Sequence, residues 1–157
     1  MPDLTTFLTY NNQAEEAVQL YISVFDGKIL STMRMPEGGP APKGTVLSVT
    51  FELFGKRMIA LNGGPSFKFS EAISLFISCD TQVEIDRYWS ALTKQGGKEI
   101  QCGWLVDKFG VSWQIVPAGL GDMLADADPA KAGRTMTAMM QMKKLDIEKL
   151  RRAYDGV

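Results

Sequence analysis

The side chains best suited to bind a ligand or do chemistry are concentrated in residues 62–69, which read N-G-G-P-S-F-K-F. Two phenylalanines flank a lysine there, and glycine allows backbone N–H groups to approach a ligand closely. The alternative is a tight crossover between two parts of the chain, sealed by the phenylalanines. The candidate ligand-binding residues of this segment are Asn62, Ser66, Phe67, Lys68 and Phe69.

A second group of candidates lies between residues 102 and 114. Gln114 is polar within the largely apolar stretch V-S-W-Q-I-V, and a buried amide must be hydrogen-bonded. It therefore either bridges two strands or contacts a ligand. Trp104 lies beside a glycine, where it could stack on a planar ligand or pack in the core, and Cys102 could line a cavity. Trp113 alternates with Gln114 along a strand and is expected to pack under a helix.

Histidine is absent from all 157 residues, which excludes Ser-His-Asp and Cys-His catalysis and histidine metal sites. Any catalysis would use carboxylates, lysine, tyrosine, cysteine or a metal held by oxygen ligands. Glu52 and Asp107 occupy matching positions, each three residues before the glycine of a Phe-Gly pair. This match favours a shared turn geometry over paired-carboxylate catalysis. Cys79 ends a predicted strand and is expected to be a small buried hydrophobe.

Composition narrows the choice of partners. The net charge is −1, and no basic stripe alternates with aromatic residues, so binding to nucleic acid is not expected. No run approaches the roughly 20 apolar residues of a membrane span. The N-terminus lacks the basic region and apolar run of a signal peptide. We therefore expect a cytoplasmic protein without nucleic-acid or membrane partners.

The candidate residues must be positioned by a pattern that the chain contains twice. Residues 12–29 form an amphipathic stretch that ends in Gly-Lys, and residues 80–100 repeat it with two residues inserted. Each copy then reaches Phe-Gly and an apolar strand. The matching pairs are Glu16 with Glu84, Leu20 with Tyr88, Tyr21 with Trp89, and Gly27 with Gly97. The repeat predicts an α+β fold of two β-α-β-β-β modules, residues 4–62 and 72–117, which form curved mixed sheets around a cleft.

Local signals place the elements of the first copy. A strand over residues 4–10 precedes a helix that Asn11 or Asn12 should cap and that Asp26-Gly27 should end. Three strands follow, with a loop rich in proline and glycine at 36–44. The helix positions expected to be buried are Ala14, Ala17, Val18, Tyr21, Val24 and Phe25.

The second copy opens with a strand expected to be buried, residues 72–79. Thr81 and Glu84 form a capping box at the start of its helix, and three short strands end near residue 117. The buried helix positions are expected to be Ile85, Tyr88, Trp89 and Leu92.

Residues 118–157 form a C-terminal helical extension. Its helices are expected to begin after Asp128 and Asp146. Methionines 136, 139, 140 and 142 provide either intramolecular packing or a dimer surface.

Several segments together resemble one known family: A-E-E-A-V-x-x-Y, G-T-V-L-S-V-T-F-E-L, A-L-N-G-G-P-S-F-K-F-S-E-A-I-S and C-G-W-L-V-D-K-F-G-V-S-W-Q-I-V-P. The double module, closed by D-x-F-G-x-x-W-Q-I-V-P, resembles the vicinal-oxygen-chelate superfamily of glyoxalases, extradiol dioxygenases and bleomycin-resistance proteins. More narrowly it is similar to the PhnB-like family, which carries the description 3-demethylubiquinone-9 3-methyltransferase. The resemblance runs from about residue 4 to 155 and implies a single glyoxalase-like domain over residues 1–157.

The resemblance also implies where a superfamily metal site would lie. The ligand positions fall near Thr5 or Thr6, at Ile59, near Ser74 and at Gln114. None of these side chains is charged, so we expect that the metal site is lost and that no cofactor is bound; Thr6 and Ser74 remain candidate ligand contacts. Superfamily members are commonly dimers, so a homodimer is expected.

Two functions remain open. The first is a binding protein that holds a small organic molecule, apolar or planar, in its cleft. The second is an enzyme, either glyoxalase- or isomerase-like or a methyltransferase as the family description suggests. Rossmann-type methyltransferases need a glycine-rich turn between a first strand and its helix. The double glycines of this chain lie in loops instead, so methyl transfer ranks lower.

Overall fold

Each copy of the repeated pattern forms one four-stranded mixed sheet with a helix against one face. The computed structural model describes residues 1–157 and divides into two units, Met1–Lys68 and Phe69–Val157. The sheets have the same strand order, with the first strand of each unit parallel to the last. The predicted α+β fold with two β-α-β-β-β modules is confirmed.

The first unit contains one helix and four strands, in the order β1-β4-β3-β2 across the sheet. The elements are β1 (Thr6–Tyr10), α1 (Ala14–Phe25), β2 (Lys28–Arg34), β3 (Val46–Leu53) and β4 (Lys56–Asn62).

The second unit repeats this arrangement in the order β5-β8-β7-β6 and adds three helices. Its elements are β5 (Ser74–Cys79), α2 (Gln82–Thr93), β6 (Lys98–Glu99), β7 (Trp104–Val106), β8 (Ser112–Pro117), α3 (Leu120–Leu124), α4 (Pro129–Met140) and α5 (Ile147–Asp155). The short helix α3 was not predicted.

Helix α1 buries the six positions that its apolar spacing predicts. Its predicted asparagine cap is wrong, because the residue before the helix is Gln13 and its side chain makes no capping bond. The side chain of Asn62, at the end of β4, accepts a hydrogen bond from the Ala14 N–H at 2.9 Å instead. At the other end Asp26 adopts φ 51°, and the helix ends there as predicted.

Helix α2 begins with the predicted capping box. The Thr81 side chain accepts a hydrogen bond from the Glu84 N–H, and the Glu84 carboxylate accepts one from the Thr81 N–H. The helix buries Ile85, Trp89 and Leu92, whereas Tyr88 is only half-buried.

Strand β5 is not the buried strand that its composition predicts. The Phe76 side chain is 58% exposed and Ile73, just before the strand, is 79% exposed. An apolar run of this length cannot distinguish a strand covered on both faces from one that is covered on a single face.

The C-terminal extension packs on the end of β8. Its helices α4 and α5 begin after Asp128 and Asp146, whose side chains accept hydrogen bonds from backbone N–H groups as predicted. Its core is Val116, Leu120, Leu145 and Leu150. Of the four methionines singled out above, Met139 and Met142 pack against this core, while Met136 and Met140 are exposed.

No helix of the structure is both long and apolar enough to span a bilayer.

Candidate functional site

Three candidate residues meet on one face of the second sheet. Gln114 on β8 pairs with Phe76 on one neighbouring strand and with Trp104 on the other. Paired residues on adjacent strands project to the same side, so Gln114 lies between two aromatic side chains. The opposite face carries Trp113 and Leu105, which are fully buried on the side of helix α2.

Two serines complete this surface. The Gln114 side-chain N–H donates a hydrogen bond to the Ser74 hydroxyl at 2.9 Å. Ser74 is in register with Ser112, which lies two residues before Gln114 and therefore on the same face. The Ser112 hydroxyl is buried and has no hydrogen-bond partner. We call this surface the Gln114 face, defined by Ser74, Phe76, Trp104, Ser112 and Gln114.

Phe76 and Ser112 were missed by the sequence analysis. Strand periodicity could have found both, since Phe76 lies two residues beyond Ser74 and Ser112 lies two residues before Gln114. The remaining signal, the unpartnered hydroxyl, is visible only in the structure.

The two glycine N–H groups of the glycine-rich segment are hydrogen-bonded within the protein. The N–H groups of Gly63 and Gly64 donate to the carbonyls of Tyr10 and Asn11, at 2.8 and 3.1 Å. The prediction that these N–H groups are available to a ligand is therefore wrong. The Asn62 amide is also engaged, because its N–H donates to the Val46 carbonyl at 3.0 Å while its oxygen binds the start of α1.

The other candidates of this segment lie on the surface. Ser66 and Lys68 are exposed and Phe67 is 56% exposed, with its ring close to Gly63. Phe69 belongs to the second unit, where it is half-buried beside Gly110. The role of these four residues in ligand binding stays a prediction.

The first sheet has an apolar residue at the position that corresponds to Gln114. Ile59 pairs with Phe7 and Thr50 at the position that corresponds to Gln114. Thr6 pairs with Met58, which is buried, and so lies on the opposite face from Ile59.

The metal implied by the resemblance does not fit this donor set. Ile59 has no donor atom, and the Gln114 amide, whose N–H donates to Ser74, offers a metal only a neutral oxygen. No three His, Cys, Asp or Glu side chains lie together as a metal-binding group. Divalent cations prefer charged or strongly polar oxygen, nitrogen and sulfur ligands, and the positions implied by the resemblance do not supply them.

The two Phe-Gly turns differ, so the predicted shared geometry is wrong. Phe54 and Gly55 alone connect β3 to β4, and both have positive φ (51° and 73°), as in a type I′ hairpin turn. The second turn is longer: the Asp107 N–H donates to the Val111 carbonyl at 2.9 Å, and Gly110 takes the positive φ of 92°. The turn of the second copy is therefore one residue longer than the turn of the first.

The Asp107 side chain stabilises this longer turn. It is buried, and one carboxylate oxygen accepts hydrogen bonds from the N–H groups of Phe109 and Val111, while the other accepts from the Trp113 indole. Glu52, its counterpart, instead forms an ion pair with Lys28 at 3.3 Å on the surface. The two carboxylates have separate structural partners, which does not favour paired catalysis.

The two cysteines have different surroundings. Cys79 is buried as predicted, and burial, followed by the nearby carboxylates of Glu84 and Asp80, raises the pKa of its thiol to about 11. Cys102 is half-buried with a positive φ of 59°, and its N–H donates to the Met142 carbonyl.

Comparison with known proteins places this geometry in a family. The model of the family described as 3-demethylubiquinone-9 3-methyltransferase matches residues 2–116. A PhnB protein from Bacillus cereus, whose description carries the same family name, is 38% identical with a TM-score of 0.68, covering 74% of this chain and 100% of its own. No curated protein matches the sequence.

More distant structures share the fold alone. Protein PA1353 from Pseudomonas aeruginosa is 19% identical with a TM-score of 0.62, covering 74% of this chain and 98% of its own. The fosfomycin resistance protein FosX from Mesorhizobium loti is 14% identical with a TM-score of 0.58, covering 80% and 98%.

The family match ends at residue 116, so the similarity of the helical tail to the family stays a prediction. Over the two repeated modules, however, sequence and fold agree. The chain belongs to the PhnB-like family, described as 3-demethylubiquinone-9 3-methyltransferase.

Proposed function

We propose that the protein binds a small organic molecule on the Gln114 face, without a metal ion. The supporting observation is the row Phe76, Gln114 and Trp104, in which a polar amide lies between two aromatic side chains. Ligand sites commonly combine apolar walls with a few polar groups that fix orientation. An exposed phenylalanine beside hydrogen-bonding side chains matches that description.

The hydrogen bond from Gln114 to Ser74 supports the same proposal. It holds the amide in one orientation, so the Gln114 carbonyl oxygen is positioned to accept a hydrogen bond from a ligand. Preorganised polar groups lower the entropic cost of binding.

The binding test uses untagged protein, because a histidine tag would add metal ligands that this chain lacks. Planar aromatic compounds are screened by thermal shift, and the affinity of each hit is measured for Gln114→Ala and for Gln141→Ala. Gln141 is an exposed glutamine after α4 and provides the matched control. We expect Gln114→Ala to weaken binding about tenfold, the effect of a lost oriented hydrogen bond, and Gln141→Ala to have no effect. Equal affinities for the two variants would contradict the proposed site.

The metal content of the same untagged protein tests the proposal that binding takes place without a metal ion. We expect much less than one metal ion per chain. Stoichiometric metal would show that oxygen ligands outside the positions considered above hold an ion, and it would favour the enzymatic alternatives.

The family description favours methyl transfer as a second candidate function. That reaction needs a site for a methyl donor such as S-adenosylmethionine. The connection from β1 to α1 reads Asn11-Asn12-Gln13, without the glycine-rich turn of Rossmann-type methyltransferases. Thermal stabilisation by S-adenosylmethionine would support this candidate. Turnover of glutathione hemithioacetals would instead support a glyoxalase-like enzyme.

A homodimer is also proposed, on the strength of the family resemblance. Light scattering coupled to size exclusion tests it, and a monomeric mass at micromolar concentration would overturn it.

A further inference from the structure

Ser74 and Ser112 present neighbouring hydroxyl groups on the Gln114 face. They are register partners on the parallel strands β5 and β8, whose backbones are about 4.8 Å apart. Two short side chains at this spacing can both reach one atom placed between them.

Neither serine uses its O–H group as a donor within the protein. Ser74 accepts a hydrogen bond from Gln114, which engages a lone pair and leaves the hydroxyl proton available. Ser112 is 2% exposed, and its hydroxyl has no partner at all. A buried hydroxyl without a partner is costly, and such groups in native proteins require an explanation.

The surroundings of the serines favour a flat and uncharged partner. Phe76 and Trp104 lie on either side of Gln114, two strand spacings or about 10 Å apart at Cα. A flat ring over Gln114 would contact an aromatic side chain on both sides.

The charged side chains on this face are compatible with an electron-rich ligand atom beside the two serines. The ionisable side chain in these rows is Lys98, on the edge strand β6, in register with Val106 and through it with Ser112. It is exposed and lies away from the serines. Two O–H donors without a neighbouring carboxylate match the acceptor oxygen of a carbonyl group.

We propose that the ligand carries a carbonyl group attached to a flat ring, and that the hydroxyls of Ser74 and Ser112 both donate to its oxygen. This assignment rests on the function proposed above. The Ser112 hydroxyl is buried in the structure, so it reaches the ligand only by rotating between staggered χ1 positions, and this rotation does not move β8. Ser112 would thus determine which aromatic molecules bind, by selecting those with the carbonyl.

The experiment compares acetophenone with ethylbenzene, which has the same ring and a similar shape but no carbonyl. Binding is followed by the indole N–H signal of Trp104 in nitrogen-15 NMR spectra, because Trp89 and Trp113 are buried and report separately. The titrations use the full chain and its variants Ser112→Ala, Ser74→Ala and Ser78→Ala. Ser78 is an exposed serine on the same strand as Ser74 and serves as the control.

We expect acetophenone to bind more tightly than ethylbenzene, and Ser112→Ala to weaken acetophenone binding about tenfold while leaving ethylbenzene unchanged. Ser74→Ala should act in the same direction, and Ser78→Ala should change neither affinity.

One outcome is that acetophenone and ethylbenzene shift the Trp104 signal with equal affinity, with neither affinity changed by Ser112→Ala. That result would overturn the carbonyl assignment, while binding on the Gln114 face would stand. If neither compound shifts the Trp104 signal up to its solubility limit, and the broader screen finds no Gln114-dependent ligand, both proposals fail.

Discussion

The carboxylate of Asp107 accepts a hydrogen bond from the indole N–H of Trp113 at 2.9 Å, and both residues are buried. This bond connects the last hairpin of the second unit to its core. The same carboxylate also holds two backbone N–H groups of the turn. Asp107 thus links the turn geometry to the orientation of β8, the strand that carries Gln114.

Replacing Asp107 should therefore be costly. Asp107→Ala leaves the Trp113 indole and two backbone donors without partners, and we expect it to lower the free energy of unfolding by about 2–4 kcal/mol. Glu52→Ala, at the matching position of the first unit, removes an exposed ion pair and should cost less than about 1 kcal/mol. Urea unfolding of both variants measures the difference. Similar losses would show that the two positions contribute equally to stability despite their different turns.

Ser112→Ala should stabilise the protein or leave its stability unchanged. The substitution removes a buried hydroxyl that has no partner, and relieving that penalty contributes up to about 1–2 kcal/mol. Thr135→Val provides the contrast, since the Thr135 hydroxyl is also buried but donates to the Lys131 carbonyl at 2.9 Å. Thermal unfolding should rank Ser112→Ala at or above the parent chain and Thr135→Val below it. A clear loss for Ser112→Ala would mean that its hydroxyl has a partner in solution.

The two cysteines should differ in reactivity. The raised pKa of Cys79, about 11, keeps its thiol protonated at neutral pH, and its burial blocks access, so a disulfide reagent should modify Cys102 first. Mass spectrometry of partly modified native protein identifies the site. Preferential modification of Cys79 would contradict the packing of β5.

The same pKa predicts a pH dependence of stability. The unfolded thiol loses its proton near 9.0, whereas the folded thiol keeps it until about 11. The contribution of Cys79 is therefore fully present below pH 9 and is lost between pH 9 and 11, at up to about 1.4 kcal/mol per pH unit. Cys79→Ala should show a shallower decline than Cys102→Ala when urea unfolding is followed from pH 8.5 to 10.5. Parallel curves for these variants would exclude a shifted thiol.

Gly63 should tolerate no side chain. A Cβ atom there would lie 2.4 Å from Cγ2 of Thr9 and 3.2 Å from the Phe67 ring, so Gly63→Ala is expected to cost about 1–3 kcal/mol through steric overlap. Adding Thr9→Ser removes the nearest methyl group and should recover part of the loss. Gly119→Ala, which meets nothing within 4 Å, is the control. A loss in the double variant equal to the sum of the single losses would rule out this contact.

Local patterns in the sequence predicted the elements well, because each depends on nearby residues. Helical spacing identified every buried position of α1, and the capping box fixed the start of α2. The same reasoning placed the caps of α4 and α5.

The errors concern contacts between distant parts of the chain. The cap of α1 comes from Asn62, 48 residues away, and no local signal identifies it. The exposure of Phe76 depends on what covers β5, and the two Phe-Gly turns differ through pairing register rather than composition. Gln114, Trp104 and Ser74 were predicted one by one as ligand contacts, but their grouping on one face follows from strand pairing that the residues alone do not specify.

The helical extension has a consequence for how the two halves of the chain can vary. Strands β6 and β7 have only two and three residues, against seven and eight in β2 and β3. The backbone N–H groups of Cys102 and Gly103 donate instead to the carbonyls of Met142 and Lys143, both at 2.8 Å. Two backbone N–H groups of the second copy are therefore bonded to carbonyl groups that lie outside the repeat. Any recombination that transfers the second copy to another protein would therefore have to carry residues 142–143 with it.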